Sequence, residues 1–166
     1  LAGSFSIGKT IKIASGSECF SSSEESDPLT PPQSSSFSGS LEDSQSPSLA
    51  DFAISPQSIN ATSPEPVNLI AHIIDDQSVW AAEAVFFGPE GQKAVALFTG
   101  ENRTEGTAKD GIFEAQLAIA FGDESGNVTG DWNLHNLTIV DSSGNRKVLM
   151  QADLQDQGLP TTIKVV

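Results

Sequence analysis

Apolar and polar residues alternate along most of this chain, and the alternation has a period of two. Val67, Leu69, Ala71 and Ile73 share one parity while Asn68 and His72 take the other. Side chains on a strand point to opposite faces in turn, so such a row marks a strand with one face buried. The same grammar predicts strands at Phe52–Ile54, with Ile59 following after a break at Pro56. It continues at Val79–Phe87, Gln92–Phe98, Ile112–Phe121, Gly130–Val140, Lys147–Met150 and Thr161–Val166. Trp80, Ala82, Ala84 and Phe86 are expected inward, as are Phe113, Ala115, Leu117, Ile119 and Phe121. Between Leu134 and Leu137 the parity changes, which predicts a β-bulge at His135-Asn136. Turn residues separate the strands: Asp75-Asp76-Gln77-Ser78, Gly88-Pro89-Glu90-Gly91 and Asp141-Ser142-Ser143-Gly144-Asn145. The only helical signal is Ala152–Gln157, ended by Gly158. Short strands recurring about every ten residues predict an all-β, antiparallel β-sandwich of about seven to eight strands over residues 49–166.

The first third of the chain reads differently. In residues 1–13, Phe5, Ile7, Ile11 and Ile13 share one parity, against Ser6, Gly8, Thr10 and Lys12, which predicts an isolated extension strand. Residues 14–48 are rich in Ser and acidic groups, carry Pro28, Pro31, Pro32 and Pro47, and read as a linker. Such a segment has too little apolar surface to offset its ordering entropy. The extension strand is the sharpest feature, because burying its four apolar side chains would contribute roughly 1.5–3 kcal/mol each. It is expected to fold back onto an edge of its own sandwich, to add to the edge of a neighbouring copy as a donor strand, or to remain an undocked remnant. The second arrangement is head-to-tail and need not close, which gives a filament.

The charge balance narrows the partners. The chain of 166 residues has 22 Asp and Glu against 8 Lys and Arg, a formal net charge of −14. Between Ile13 and Gln92 there is no Lys or Arg at all. A surface of this sign repels phosphate backbones and anionic lipid, so neither nucleic acid nor membrane insertion is expected. The single cysteine, Cys19, has no partner for an intrachain disulfide and lies in no zinc-type cluster. The chain begins at Leu1, as a mature form or fragment would. Leu1-Ala2-Gly3-Ser4 has the look of a lipoprotein cleavage box with Ser4 in place of the lipidated Cys.

Candidate chemistry is sparse. Trp132, in parity with Leu134, is expected in the core between two sheets, and Trp80 either there or exposed as a platform that stacks on sugar rings. Asp75, Asp76 and Asp110 are the acidic turn residues best placed to ligate calcium, which takes six to eight oxygens from several segments. Asp and Asn also stabilise turns by bonding their own backbone, and that reading stands beside the ionic one. Asn60, Asn102, Asn127 and Asn136 each begin an Asn-x-Thr sequence at a turn or strand end. Neither His72 nor His135 accompanies a nucleophile signal, and no Gly-x-Ser-x-Gly elbow occurs. No enzyme is expected, and no cofactor other than calcium.

Several of these signals occur in a familiar order: Asp75-Asp76, Gly88 to Gly91, Lys109-Asp110-Gly111 with Phe113, Gly130-Asp131-Trp132-Asn133-Leu134, Asp141 to Asn145, Ala152-Asp153-Leu154 and Gly158 to Thr161. Together they resemble the immunoglobulin-like modules of large secreted or surface proteins of bacteria. The resemblance covers residues 49–166 and leaves the extension strand and linker outside the pattern. It implies an extracellular or cell-surface location and a role as spacer, adhesive unit or accessory domain of an exoenzyme. No catalytic residue follows from it. The expected role is therefore a non-catalytic structural or adhesive unit that self-associates as a homopolymer or meets neighbouring domains of a longer chain. The alternative is an accessory carbohydrate-binding module of a secreted polysaccharide-degrading enzyme.

Overall fold

A computed structural model describes residues 28–31, 43–63, 65–119 and 129–166. The described residues form ten strands in two sheets, with one short α-helix and a 3-10 turn at Gly100–Asn102. The strands are β1 (Ser48–Ser55), β2 (Ser58–Ile59), β3 (Val67–Ile74), β4 (Val79–Phe87), β5 (Lys93–Thr99), β6 (Arg103–Gly106), β7 (Asp110–Leu117), β8 (Gly130–Asp141), β9 (Arg146–Met150) and β10 (Thr162–Val165). Helix α1 (Gln151–Asp156) lies between the last two strands. No helix among the described residues is long and apolar enough to cross a membrane.

One sheet has the order β1-β3-β7-β6 and the other β2-β10-β8-β4-β5, with β9 paired to the second half of β8. Their inner faces meet in a single core. The first sheet contributes Phe52, Ile54, Val67, Leu69, Ala71, Ile73, Phe113, Ala115 and Leu117. The second contributes Ala82, Ala84, Phe86, Ala96, Phe98, Trp132, Leu134, Leu137, Ile139, Ile163 and Val165. These inward rows are those of the hydrophobic alternation, because a one-residue slip would turn every apolar side chain to water. The small residues of β4 and β5 face the large rings of other strands, so the layers interdigitate.

Trp132 is the largest fully buried side chain. It lies against Gly88 in the β4–β5 turn, where an added Cβ would stand 2.8 Å from the indole ring. Glycine is required there for the close approach rather than for an unusual backbone angle. Gly144, by contrast, adopts φ 92° in the β8–β9 turn, a conformation that side chains disfavour.

Several details differ from what alternation predicts. Trp80 was expected inward but is 38% exposed, while Val79 before it is buried. The register of β4 against β8 shifts between Val79 and Ala81, and this irregularity turns the indole outward. The second irregularity, opposite Val85/Phe86, leaves His135 without a register partner, where the parity change places the bulge. Strand β6 is polar and exposed along its whole length, so its sequence has no apolar row to betray it. β2 runs parallel to β10 while the other strand pairs are antiparallel. Within residues 14–48, Leu29 is buried on the outer face of the second sheet with Ala81 and Val140, and Leu97 packs beside them.

Candidate functional site

One end of the sandwich carries two acidic turns side by side. The β3–β4 turn begins with Asp75, and the β8–β9 turn begins with Asp141, the last residue of β8. Asp141 is aligned with Val79 across the β4–β8 pair, so the sheet itself brings the turns together. They are tied by a bond from the Ser142 amide to the Ser78 carbonyl (2.8 Å) and by a Ser78–Ser142 hydroxyl contact of 2.7 Å.

Each aspartate first organises its own turn. Asp141 Oδ1 accepts from the amides of Ser143 and Asn145, both at 2.8 Å, and its Oδ2 accepts from Asn145 Nδ2 at 2.8 Å. Asp75 Oδ2 accepts from the Gln77 amide at 3.0 Å. These are the turn bonds that Asp and Asn are favoured to make.

A third carboxylate joins them from the segment that leads into β1. Asp43 Oδ1 accepts from the Gln45 amide at 2.9 Å, and the Asp43 carbonyl accepts from Asn145 Nδ2 at 3.0 Å. Oxygens of Asp43, Asp75 and Asp141 all lie within 4.8 Å of one another. Asp75 is 6% exposed and Asp141 wholly buried. Asp75 Oδ1 and Asp43 Oδ2 are shut away from solvent without a hydrogen-bond donor. Beside them lies a hollow of about 220 Å³ lined by Gln45, Ser46, Ser48, Ile74, Asp75 and Asp76.

Burial pushes the Asp75 carboxyl above its ordinary value, since a charge loses its hydration there. The backbone amides of Gln77 and Ser78 work the other way by favouring the charged form, and the negative charges of Asp141 and Asp43 add to the rise. Three carboxylates this close repel by about 3 kcal/mol per pair at an effective dielectric near 20. An arrangement that gathers hard oxygens, withholds donors from two of them and excludes water has the chemistry of a site for a hard divalent cation.

The structure therefore divides the aspartates expected to ligate calcium. Asp75 enters the cluster. Asp76 is exposed, and its carbonyl accepts from Lys109 Nζ at 2.8 Å. Asp110 belongs to the first sheet, where its Oδ1 meets His72 Nε2 at 2.6 Å, away from the cluster. The physical reason is side-chain direction: Asp76 is exposed, and Asp110, although paired with Ile74 next to Asp75, turns its carboxylate to His72. Asp43 and Asp141 were not in the expected ligand set. Asp141 carried a signal in the Asp141–Asn145 turn motif, and Asp43 carried none beyond its charge.

Of the other candidate residues, Trp80 borders a hollow of about 530 Å³ with Pro28, Thr99, Glu101 and Arg103 along it. Phe5, Ile7, Ile11 and Ile13 lie outside the described residues, as does Asn127. Asn60 is exposed, whereas Asn102 caps the chain at Thr99, accepting from its amide at 3.1 Å. Asn136 is half-buried on β8 and donates to Thr138. Compared with models of protein families, with curated proteins and with solved structures, the chain matches none.

Proposed function

We propose that this chain is a non-catalytic immunoglobulin-like module of an extracellular or cell-surface protein, acting as a structural or adhesive unit that joins to its neighbours by strand addition. One observation carries the reading. The described residues from 43 onward build a core between two packed sheets, and they leave strand edges, that of β5 above all, with no neighbouring strand among the described residues. β5 ends the order of its sheet, and Val95 on its outer face is 40% exposed. Phe87 and Met150 extend the apolar character of the same sheet face. An extended segment with one apolar face, such as Phe5, Ile7, Ile11 and Ile13, is the partner that an open edge accepts.

The strand order supports the immunoglobulin-like part. β1-β3-β7-β6 opposite β10-β8-β4-β5 corresponds to the order A-B-E-D opposite G-F-C-C′ of that fold. Light scattering of the whole chain, of a form lacking residues 1–13 and of Ile11→Asp tests the proposal. Strand addition between copies gives a concentration-dependent assembly that both changes abolish. An unchanged particle mass across the three removes it.

The exposed Trp80 favours a second reading, a carbohydrate-binding module. Its indole flanks a hollow with polar groups from Thr99, Glu101 and Arg103, the combination that receives a sugar ring. Binding on a glycan array that is lost in Trp80→Ala, with melting unchanged, would make this the better account.

A further inference from the structure

We propose that Asp43, Asp75 and Asp141 form a calcium site, and that the ion fastens the segment entering β1 to the end of the sandwich. Whether the module serves adhesion or carbohydrate binding does not enter the argument.

Three acidic residues in proximity are common on a chain of this charge, and proximity alone would carry little. What singles this cluster out is the state of its oxygens. Asp75 is 94% buried by its 6% exposure, and its Oδ1 is shut from solvent and accepts no hydrogen bond. Asp43 Oδ2 is in the same condition. Buried acceptors are nearly always satisfied, and buried carboxylates are paired or coordinated. Both orphaned oxygens belong to the three carboxylates whose oxygens stand within 4.8 Å of one another. A cation at their centre satisfies both at once and reverses the sign of every interaction among the three.

The ligand set favours calcium over magnesium. Calcium takes six to eight oxygens, carboxylates and carbonyls among them, in a flexible shell, whereas magnesium keeps several waters and takes one or two carboxylates. Three carboxylates with oxygens within 4.8 Å of one another suit the calcium shell. The donors are all hard oxygens, and the adjoining hollow leaves room for water to complete the shell.

The three ligands come from chain positions far apart, and this gives the ion a mechanical role. Asp75 and Asp141 belong to turns already tied through Ser78 and Ser142. Asp43 belongs to the incoming segment, held by Asn145 Nδ2 on its carbonyl and by Ser48 Oγ on the Ile74 carbonyl at 3.2 Å. Removing the ion leaves those few bonds against the repulsion of three charges. The segment is then released at the point where the chain joins the sandwich.

The test uses the whole chain freed of metal, titrated with calcium chloride by calorimetry and followed by thermal melting and limited chymotrypsin cleavage at Phe37. One calcium ion binds per chain, melting rises with calcium concentration, and cleavage slows several-fold. Magnesium chloride binds at least about ten times more weakly. Asp75→Asn and Asp43→Asn each weaken calcium binding by at least about ten-fold. Asp43 is only half-buried, so its variant folds even if the Asp75 variant does not. Absence of binding at millimolar calcium overturns the site, and so does undiminished binding in Asp43→Asn. Binding with an unchanged rate of cleavage overturns the fastening role.

Discussion

Replacing Asp75 by Asn should stabilise the metal-free protein, although it removes a nearly buried side chain that holds a turn. The Asn carbonyl oxygen can keep the bond from the Gln77 amide, and its amide nitrogen then stands where Oδ1 has no donor. An orphaned acceptor beside two carboxylates thus becomes a donor to them. Two of the three repulsive pairs disappear, each worth about 3 kcal/mol at an effective dielectric near 20. The gain has a ceiling, because the wild-type chain can escape repulsion by protonating Asp75. Holding a proton on an acid of ordinary value 3.8 costs about 4 kcal/mol at neutral pH. The expected stabilisation therefore lies between about 1 and 4 kcal/mol, at roughly 2–4 °C in Tm per kcal/mol for a chain of this size. Calorimetric melting in a chelating buffer at pH 7 measures it.

The pH dependence adds an internal control. Burial, with Asp141 and Asp43, places the folded-state Asp75 value above its unfolded one. Ionisation of Asp75 therefore costs stability, beginning as pH rises past the unfolded value and complete above the folded one. The advantage of Asp75→Asn over wild type should shrink as the solution is acidified through that window. A variant that melts below wild type in chelator would refute the electrostatic account and leave Asp75 as a turn residue only.

Two further perturbations examine the packing. Gly88→Ala drives a methyl group into the Trp132 ring and into Gln92 Oε1, at 2.8 and 2.7 Å, and should cost about 1–3 kcal/mol in urea unfolding. Combining it with Trp132→Leu should give less than the sum of the two single losses, whereas additivity would mean that the contact is not the cause. Leu29→Ala removes the residue seated on Ala81 and Val140 and should cost about 1–2 kcal/mol, at the low end for a buried leucine because the cluster is small. An unchanged urea midpoint would show that residues 28–31 contribute nothing to the folded domain.

The all-β character, most strand positions and the inward rows were legible in the sequence. Alternation is a local property, and each strand carries its own copy of the signal: Val67 to Ile73 and Phe113 to Leu117 read as strands without knowledge of their partners. The bulge at His135 was legible for the same reason, since it breaks a local parity. Trp80 was not, because the irregularity that turns it outward belongs to the pairing of β4 with β8 and leaves no mark in the apolar row. β6 was not, because a short polar edge strand is held by its neighbour's backbone alone.

The sequence by itself thus determined most of the side chains that enter the core, because water sorts them by polarity wherever the strands lie, Trp80 excepted. Tertiary structure alone decided that Asp43, Asp75 and Asp141 share one small volume while Asp76 and Asp110 stand apart. Asp75 and Asp141 meet because β4 and β8 are hydrogen-bonded neighbours, and Asp43 reaches them by the path of the chain into β1. A cation site of this kind is a property of sheet order, and a charge pattern read along the chain does not contain it.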